Sequence, residues 1–226
     1  MKTKFSSYRL NTLPEGCEYC VKGGKLVLFI SGKCSRNCWY CSLSQKRKNT
    51  DKIWANEREI RSTRELVEEA GESRATSAGI TGGDPLLFLP RTLKFASALK
   101  KKFGRKFHIH IYLPTKLVTL ERLAKLSKNV DEIRFHPSFL IKEDKTEYSK
   151  DLEKIKLASL FWKKESIGCE LPVLPDKKKE IFQFILDIKD QIGFVNLNEF
   201  EISETNFKTI TKNYQISKDT YTIRDS

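Results

Sequence analysis

The 226-residue sequence predicts a parallel α/β fold, and two observations support this prediction. Segments typical of strands and of helices alternate along most of the chain, as six strands with five helices between them. No internal repeat or low-complexity linker interrupts the alternation, and the length suits one large domain or two small ones. A parallel sheet of this kind either closes into a barrel or stays open and doubly wound.

The first half of the chain supplies three predicted strands and two helices. The first strand ends at Ser31-Gly32, and the second is closed by Gly82-Gly83. The first helix follows Ser62 and Glu65, which are spaced as a capping box, and the second has apolar residues at helical spacing. The predicted strands are Lys25–Ile30, Thr76–Thr81 and Phe107–Leu113, and the predicted helices are Thr63–Ser73 and Pro90–Phe103.

The second half continues the alternation with three strands and three helices. The strands are predicted at Glu132–His136, Ile167–Val173 and Phe194–Ile202, and the helices at Leu120–Leu126, Glu147–Lys164 and Lys177–Ile192. The polar stretch Lys208–Ser226 shows no clear sixth helix, so we expect a barrel that lacks its last helix. These segments divide the chain into an N-terminal extension (1–24), a partial barrel (25–207) and a C-terminal tail (208–226).

Composition narrows the class of protein. No stretch approaches the length of apolar residues that a membrane span needs, and the N-terminus has no apolar signal region, so we expect a cytoplasmic protein without a membrane partner. In a reducing compartment, six cysteines indicate metal ligands or catalytic thiols before disulfides. A net charge of +13, spread over many lysines, indicates a solvated basic surface, contact with RNA, or docking of an acidic electron donor.

Three cysteines directly after the first strand carry the main functional signal. Cys34, Cys38 and Cys41 have a C-x3-C-x2-C spacing, which lets three thiolates bind one face of an iron–sulfur cube and leaves the fourth iron without a protein ligand. The run Gly82-Gly83-Asp84-Pro85 follows the second strand at the equivalent place. Since reactive groups gather at the carboxyl ends of parallel strands, the two motifs are expected to face one site.

Together with Tyr40, an aromatic residue just before the third cysteine, these motifs resemble the radical S-adenosylmethionine (radical SAM) superfamily. The likeness covers roughly residues 13–207 and points to an archaeal-type branch related to pyruvate formate-lyase activating enzymes. It implies a partial (β/α)6 TIM-like barrel of the radical SAM type. It also implies a [4Fe-4S] cluster on the three cysteines, which reductively cleaves S-adenosyl-L-methionine to a 5′-deoxyadenosyl radical.

The resemblance also implies roles for neighbouring residues. Tyr40 would lie beside the adenine, and Gly82, Gly83 and Asp84 would meet the methionine amino group. The superfamily more often has Glu where this chain has Asp84. The electron donor would be of the flavodoxin or ferredoxin type. The substrate would be a protein glycyl site, a tRNA base or a small metabolite.

Polar residues at alternate positions of the later strands indicate a polar inner face of the barrel, because parallel strands are usually apolar on both faces. Arg134 and His136 are expected near the adenosine or substrate. The alternative for His108, His110 and His136 is a set of core histidines bonded to their neighbours. The same lining is extended by Glu170, Asn196 and Asn198, and Glu199, Glu201 and Glu204 are either ribose or substrate contacts or a solvated strand end.

Two features leave alternatives open. Cys17 and Cys20 form a C-x2-C pair that suits a second metal or cluster, with Cys169 as a third ligand, a redox pair, or two structural thiols. With Cys38 and Cys41 the same pair matches a two-knuckle zinc spacing, which makes a zinc-ribbon nucleic-acid-binding protein the alternative function. Trp54, near the basic run 46–52, either packs the loop against the barrel or stacks a base.

Overall fold

The computed structural model describes residues 1–3, 7–141, 145–199 and 201–215, and of Lys145 only the backbone. One eight-stranded sheet organises these residues, in the order β3-β2-β1-β4-β5-β6-β7-β8. Its six parallel strands are β1 (Lys25–Phe29), β4 (Ser77–Thr81), β5 (His108–Pro114), β6 (Glu132–His136), β7 (Ile167–Pro172) and β8 (Phe194–Asn198). The six predicted strands and their parallel arrangement are therefore confirmed.

Five helices connect consecutive parallel strands, as the sequence predicts. They are α2 (Thr63–Glu72), α3 (Leu89–Phe103), α4 (Leu120–Leu126), α5 (Lys145–Leu157) and α6 (Lys178–Ile188). The capping box of α2 is present, since the hydroxyl of Ser62 accepts from the Glu65 amide and the Glu65 carboxylate accepts from the Ser62 amide. Helix α5 ends earlier than predicted, because a 3-10 turn (Ala158–Leu160) replaces its last turn.

Three elements were not predicted. A hairpin of β2 (Ile53–Ala55) and β3 (Arg58–Ile60) extends the sheet beside β1 in the antiparallel direction. Helix α1 (Glu15–Val21) lies in the N-terminal extension. Helix α7 (Phe207–Asn213) follows β8, so the expectation of no helix there is wrong. Ile210, which is 2% exposed, anchors this short helix. The rest of the predicted tail, from residue 216, lies outside the described residues.

The two faces of the sheet differ in polarity, and this difference creates the site. On β5 and β6, residues such as Ile109, Ile111 and Phe135 are fully buried against the helices. The alternate residues, such as His110 and Arg134, point into the barrel lumen and are polar and buried, and Glu170 on β7 does the same. The predicted polar inner face is therefore present. No helix of the described residues is long and apolar enough to cross a membrane.

Candidate cofactor and substrate pocket

The three cysteines of the motif face one cavity at the carboxyl ends of the parallel strands. The loop that carries them, residues 30–50, leaves β1 and returns to β2, and Cys34, Cys38 and Cys41 line a cavity of about 330 Å³. All three thiols are free and half-buried. Burial raises the pKa of the Cys34 and Cys38 thiols above the ordinary value. The two thiols are therefore protonated near neutral pH until a metal displaces the protons.

Arg36 fixes the cysteine loop to the neighbouring strand. Its Nη1 donates to the carbonyls of His136 and Pro137, at 2.8 and 2.9 Å, and more weakly to the Ser138 hydroxyl. From the other side, Lys116 Nζ donates to the carbonyl of Ser35 at 2.8 Å. The sequence pattern did not single out either residue, since Arg36 fills an unspecified position of the cysteine motif and Lys116 lies outside it.

The segment after β8 holds the far side of the same loop. Asn206 is 1% exposed and donates to the carbonyl of Tyr40 at 3.0 Å, and the Thr205 hydroxyl donates to the carbonyl of Leu43 at 2.7 Å. Glu201 accepts from the Ser42 hydroxyl and Glu204 from the Gln45 amide, both at 2.8 Å. Of the three expected ribose or substrate contacts, Glu201 and Glu204 therefore bind the loop, and Glu199 and Glu201 line the cavity.

Gly82 and Gly83 lie against the cysteine loop so closely that a side chain has no room. A Cβ at Gly82, where φ is +141°, would be 2.6 Å from the carbonyl oxygen of Ser31. A Cβ at Gly83 would be 2.3 Å from that of Lys33. The amides of Gly83 and Asp84 already donate to these two carbonyls. The glycines thus join the cysteine loop to β4, and both also line the cavity.

Asp84 is not among the residues that line the cavity, and its expected contact with the methionine amino group stays a prediction. It is 1% exposed, and its carboxylate accepts from the Ser35 hydroxyl at 2.5 Å and from the Leu86 amide at 2.9 Å. Burial raises the pKa of this carboxyl group. Asp84 therefore caps the turn after the glycines, a task that the shorter Asp side chain suits well.

Tyr40 and His136 form a hydrogen-bonded pair at the wall of the cavity. His136 Nδ1 is 3.0 Å from the backbone carbonyl of Glu170, so this nitrogen carries the hydrogen and donates. Nε2 is then an acceptor, and the Tyr40 hydroxyl donates to it at 2.9 Å. Burial and the Arg36 charge lower the pKa of His136 to about 3, so the imidazole is neutral throughout the physiological range.

Arg134 is not among the residues that line the cavity, and its expected contact with the adenosine or substrate stays a prediction. It is 1% exposed, and its guanidinium pairs with Glu132 at 2.5 Å and with Glu170 at 2.8 Å. Glu170 also accepts from Asn196 at 2.7 Å and from Asn198 at 3.0 Å. The arginine therefore neutralises buried carboxylates, and of this cluster Glu170 and Asn198 reach the cavity.

Helix α1 closes the opposite, amino end of the barrel. The amide of Gly16 donates to Glu132, the first residue of β6, at 2.9 Å. Tyr19 stacks on His108, the first residue of β5, with ring centroids 5.3 Å apart. His110 fills the lumen between Gly16 and Gly79, and neither of its ring nitrogens has a hydrogen-bond partner among the residues that the structure describes. Both histidines are thus barrel-filling residues with a lowered pKa, caused mainly by burial.

This position of α1 separates Cys17 and Cys20 from the cluster motif. The cysteine loop contacts His136 at the other end of β6, four residues from Glu132, which is about 13 Å along a strand. Cys169 is fully buried on the helix side of β7 and does not join the pair. Within the part of the chain that the structure describes, no group of three or more Cys, His, Asp or Glu side chains could hold a metal ion. The zinc-ribbon alternative is therefore not favoured.

Trp54 packs the loop after the cysteines, which is the structural one of its two predicted roles. It is 3% exposed, and Lys46 Nζ and the Arg47 guanidinium lie 4.4 and 4.9 Å from its ring centroid. Because the Trp54 ring is buried beneath these two side chains, it has no free face on which a base could stack.

Comparison with known proteins decides the family. The family model of the radical SAM superfamily matches residues 28–139, which include both motifs. The chain is also 44% identical over 219 residues to a protein of Methanocaldococcus jannaschii named as a candidate glycyl-radical enzyme activating enzyme. The chain belongs to the radical SAM superfamily. The match takes in 96% of this chain and 58% of that relative, so the chain spans less than two thirds of the relative's length.

Solved structures confirm the predicted fold. Coproporphyrinogen III oxidase (HemN) from Escherichia coli, described as a radical SAM enzyme, superimposes with a TM-score of 0.55 at 14% identity, over 85% of this chain and 48% of that one. The enzyme anSMEcpe with bound AdoMet gives 0.51 at 14% identity, over 78% and 50%. The methyltransferase TsrM from Kitasatospora setae, solved with cobalamin and a [4Fe-4S] cluster, gives 0.52 at 8% identity, over 92% and 43%.

Proposed function

We propose that this protein is a radical SAM enzyme that generates a glycyl radical on a partner protein. The observation that carries the proposal is the joint lining of one cavity by the three motif cysteines and by Gly82-Gly83. Membership of the superfamily and the name of the Methanocaldococcus jannaschii relative support it. Because the chain spans only part of that relative, activity, substrate and partner are all part of the proposal.

The donor set fits an iron–sulfur cluster. Cys34, Cys38 and Cys41 offer three thiol ligands to one cavity. Each thiolate of a cluster binds a different iron, so such ligands lie farther apart than ligands that share one ion. Three protein ligands would leave one iron open to S-adenosylmethionine. Loading the cluster would release the protons that the buried thiols of Cys34 and Cys38 hold.

The cavity also suits S-adenosylmethionine. In the described part of the chain, the carbonyls of Gly82 and Gly83 accept no hydrogen bond, so both can accept from an amino group. The cavity volume of about 330 Å³ lies at the lower end of the range for small-molecule sites. Tyr40 and His136 form one wall, and the hydrogen bond between them holds the tyrosine ring in place for contact with the adenine.

When bound, the cluster would supply the electron that splits the carbon–sulfur bond of S-adenosylmethionine, giving methionine and a 5′-deoxyadenosyl radical that takes a hydrogen atom from the substrate. The protein's own residues position and shield the reactants. Arg36 and Asn206 hold the cysteine loop from two sides. His136 stays neutral and adds no titrating charge to the cavity. Glu170, Asn198 and Glu199 also line the cavity, where they would contact the substrate.

The electron would come from a small acidic protein of the flavodoxin or ferredoxin type. The cysteine loop carries exposed or half-buried cations, including Lys33, Lys46 and Lys48, next to the ligands. Such a basic rim favours an acidic partner and predicts docking that weakens as salt rises.

Anaerobic reconstitution tests the catalytic part of the proposal. The full chain is loaded with iron and sulfide, reduced with dithionite, and given S-adenosylmethionine. We expect 5′-deoxyadenosine from the wild type and from Cys20→Ser, and none from Cys38→Ala. Cys20→Ser is the matched control, since it removes an exposed thiol from the opposite end of the barrel. A wild type that holds the cluster and forms no 5′-deoxyadenosine would refute the proposal.

The glycyl target is tested separately by deuterium transfer. The loaded enzyme is incubated with an extract of the source organism grown on glycine deuterated at its α-carbon. We expect deuterium in the 5′-deoxyadenosine that forms, and none when the extract proteins have been removed. Formation of unlabelled 5′-deoxyadenosine in both samples would retain the radical SAM activity and exclude glycine as the hydrogen donor.

A further inference from the structure

The C-x2-C pair on α1 has no role in the pocket, yet its geometry is specific. Both thiols are free, and Cys20 is exposed while Cys17 is half-buried. They lie three residues apart on one helix, Glu15–Val21. Helix dimensions place the Cα atoms of such a pair about 5 Å apart, and a disulfide spans roughly 4.4–6.8 Å between Cα atoms. A bond between the two sulfurs therefore requires side-chain rotation without displacement of the helix.

The surroundings of Cys17 favour a thiol that reacts reversibly. Arg134 Nη2 lies 3.3 Å from the sulfur, and Asn196 Nδ2 lies 3.6 Å from it. The contacts with these two donors stabilise the thiol form of Cys17. They are lost when the Cys17 sulfur turns towards Cys20. A disulfide that forms at the cost of such contacts, and that has an exposed member, is readily reduced again. A metal site at this pair is less favoured than a redox role, because the described residues supply no third ligand to the pair.

We propose that Cys17 and Cys20 are a thiol–disulfide exchange site that reacts with low-molecular-weight disulfides. The exposed Cys20 sulfur attacks the external disulfide, which forms a mixed disulfide and releases one small thiol that takes the Cys20 proton. The Cys17 sulfur then attacks the Cys20 sulfur, and the second small thiol leaves with the Cys17 proton. The protein pair loses two electrons and two protons, and the external disulfide gains both.

The location makes this exchange independent of the pocket. The pair lies at the amino end of the barrel, and Cys34, Cys38 and Cys41 lie at the carboxyl end. An external disulfide reaches the exposed Cys20 without entering the cavity. The proposal therefore stands whether or not the chain has radical SAM activity.

Peptide mass spectrometry tests the proposal directly. Trypsin releases residues 10–22 as one peptide, which contains Cys17 and Cys20 and no other cysteine. The full chain, prepared without oxygen, is equilibrated with oxidised and reduced glutathione at a series of ratios, and the remaining thiols are alkylated. We expect this peptide to convert, as the oxidised fraction rises, to a form lighter than the dithiol by two hydrogen atoms. Dithiothreitol should restore the dithiol.

Single substitutions separate the two steps. In Cys17→Ser the resolving thiol is absent, so we expect a lasting glutathione adduct on Cys20, which in the wild type is transient. Cys169, fully buried on β7, should stay a free thiol in the same samples and serves as the internal control. A wild-type peptide that stays a dithiol in fully oxidised glutathione would overturn the proposal. A wild type that accumulates the adduct without the intrapeptide disulfide would overturn it equally.

Discussion

Replacing Arg36 tests whether one cation organises the cysteine loop. Arg36→Met keeps the apolar stem and removes two short hydrogen bonds to the carbonyls at the end of β6. Hydrogen bonds from charged donors contribute about 1.5–3 kcal/mol each, and the lower value suits a half-buried side chain, which gives about 3 kcal/mol for the pair. The buried Nε of Arg36 has no partner among the described residues, so its removal returns about 1 kcal/mol. We expect a net loss of about 2 kcal/mol.

The measurement is urea unfolding of the full chain without iron, followed by far-ultraviolet circular dichroism. A loss of about 2 kcal/mol raises the unfolding equilibrium constant about 30-fold and lowers the midpoint at an unchanged slope. Arg64→Met is the matched control. Its guanidinium pairs with Glu68 at 3.5 Å with the Arg64 side chain 83% exposed, and such pairs contribute about 0–1 kcal/mol.

A second measurement ties the stability change to the site. After anaerobic reconstitution, we expect less iron per chain in Arg36→Met than in the wild type and in Arg64→Met, because a loose loop no longer holds its three thiols on one cavity. Equal midpoints for the two variants would refute the reasoning. A lowered midpoint with full iron retention would show that Arg36 stabilises the fold without organising the ligands.

Two further predictions concern the pocket walls. Gly83→Ala places a Cβ 2.3 Å from a backbone oxygen of the cysteine loop, so iron per chain and the unfolding midpoint should fall. The control Gly71→Ala has open space around its Cβ and should leave iron per chain unchanged. Equal iron in the two variants would contradict the contact at Gly83. The pKa of His136 is lowered to about 3, so the unfolded chain binds the proton first as pH falls below about 6.5. The free energy of unfolding therefore falls from about pH 6.5 towards pH 3, by up to about 1.4 kcal/mol per pH unit. His136→Asn should flatten this dependence of stability on pH, and an unchanged slope would show that His136 is not responsible.

The sequence predicted the parts of this fold that depend on local pattern. Alternating apolar and polar residues along His108–Leu113 predicted both the strand and the polar lumen, and the Ser62/Glu65 spacing predicted the capping box to the residue. The hairpin after the cysteine loop escaped prediction because its two strands have three residues each, too few for a period to show. Helix α1 was not predicted because its packing depends on distant parts of the chain. Gly16 is buried by contacts with residues more than 90 positions away.

The cysteine spacing predicted that three thiols face one cavity, whereas the surroundings of Arg134 and Asp84 could not be predicted from their sequence neighbours. The C-x3-C-x2-C spacing requires nearby residues to bind one cluster, so the sequence alone brings the three thiols together. Arg134 and Asp84 instead have polar side chains in a strand and a turn, which is compatible with a ligand contact and with a buried structural role. Which role applies depends on partners such as Glu132 and Ser35, whose positions only the folded chain defines.

The cysteine loop is held not only by the Gly82-Gly83-Asp84 motif but also by Arg36 and Asn206, whose residue types neither motif specifies. Arg36 contacts the end of β6, and Asn206 joins the loop to the segment after β8. These contacts come from opposite sides of the barrel opening, so the spacing of the ligands depends on the distance across it. A chain that kept the motif and lost the segment after β8 would therefore keep its ligands and lose one of the two supports that space them. Asn206→Ala isolates this support, since it leaves the Tyr40 carbonyl without its buried donor, and we expect it to reduce iron per chain without changing any ligand.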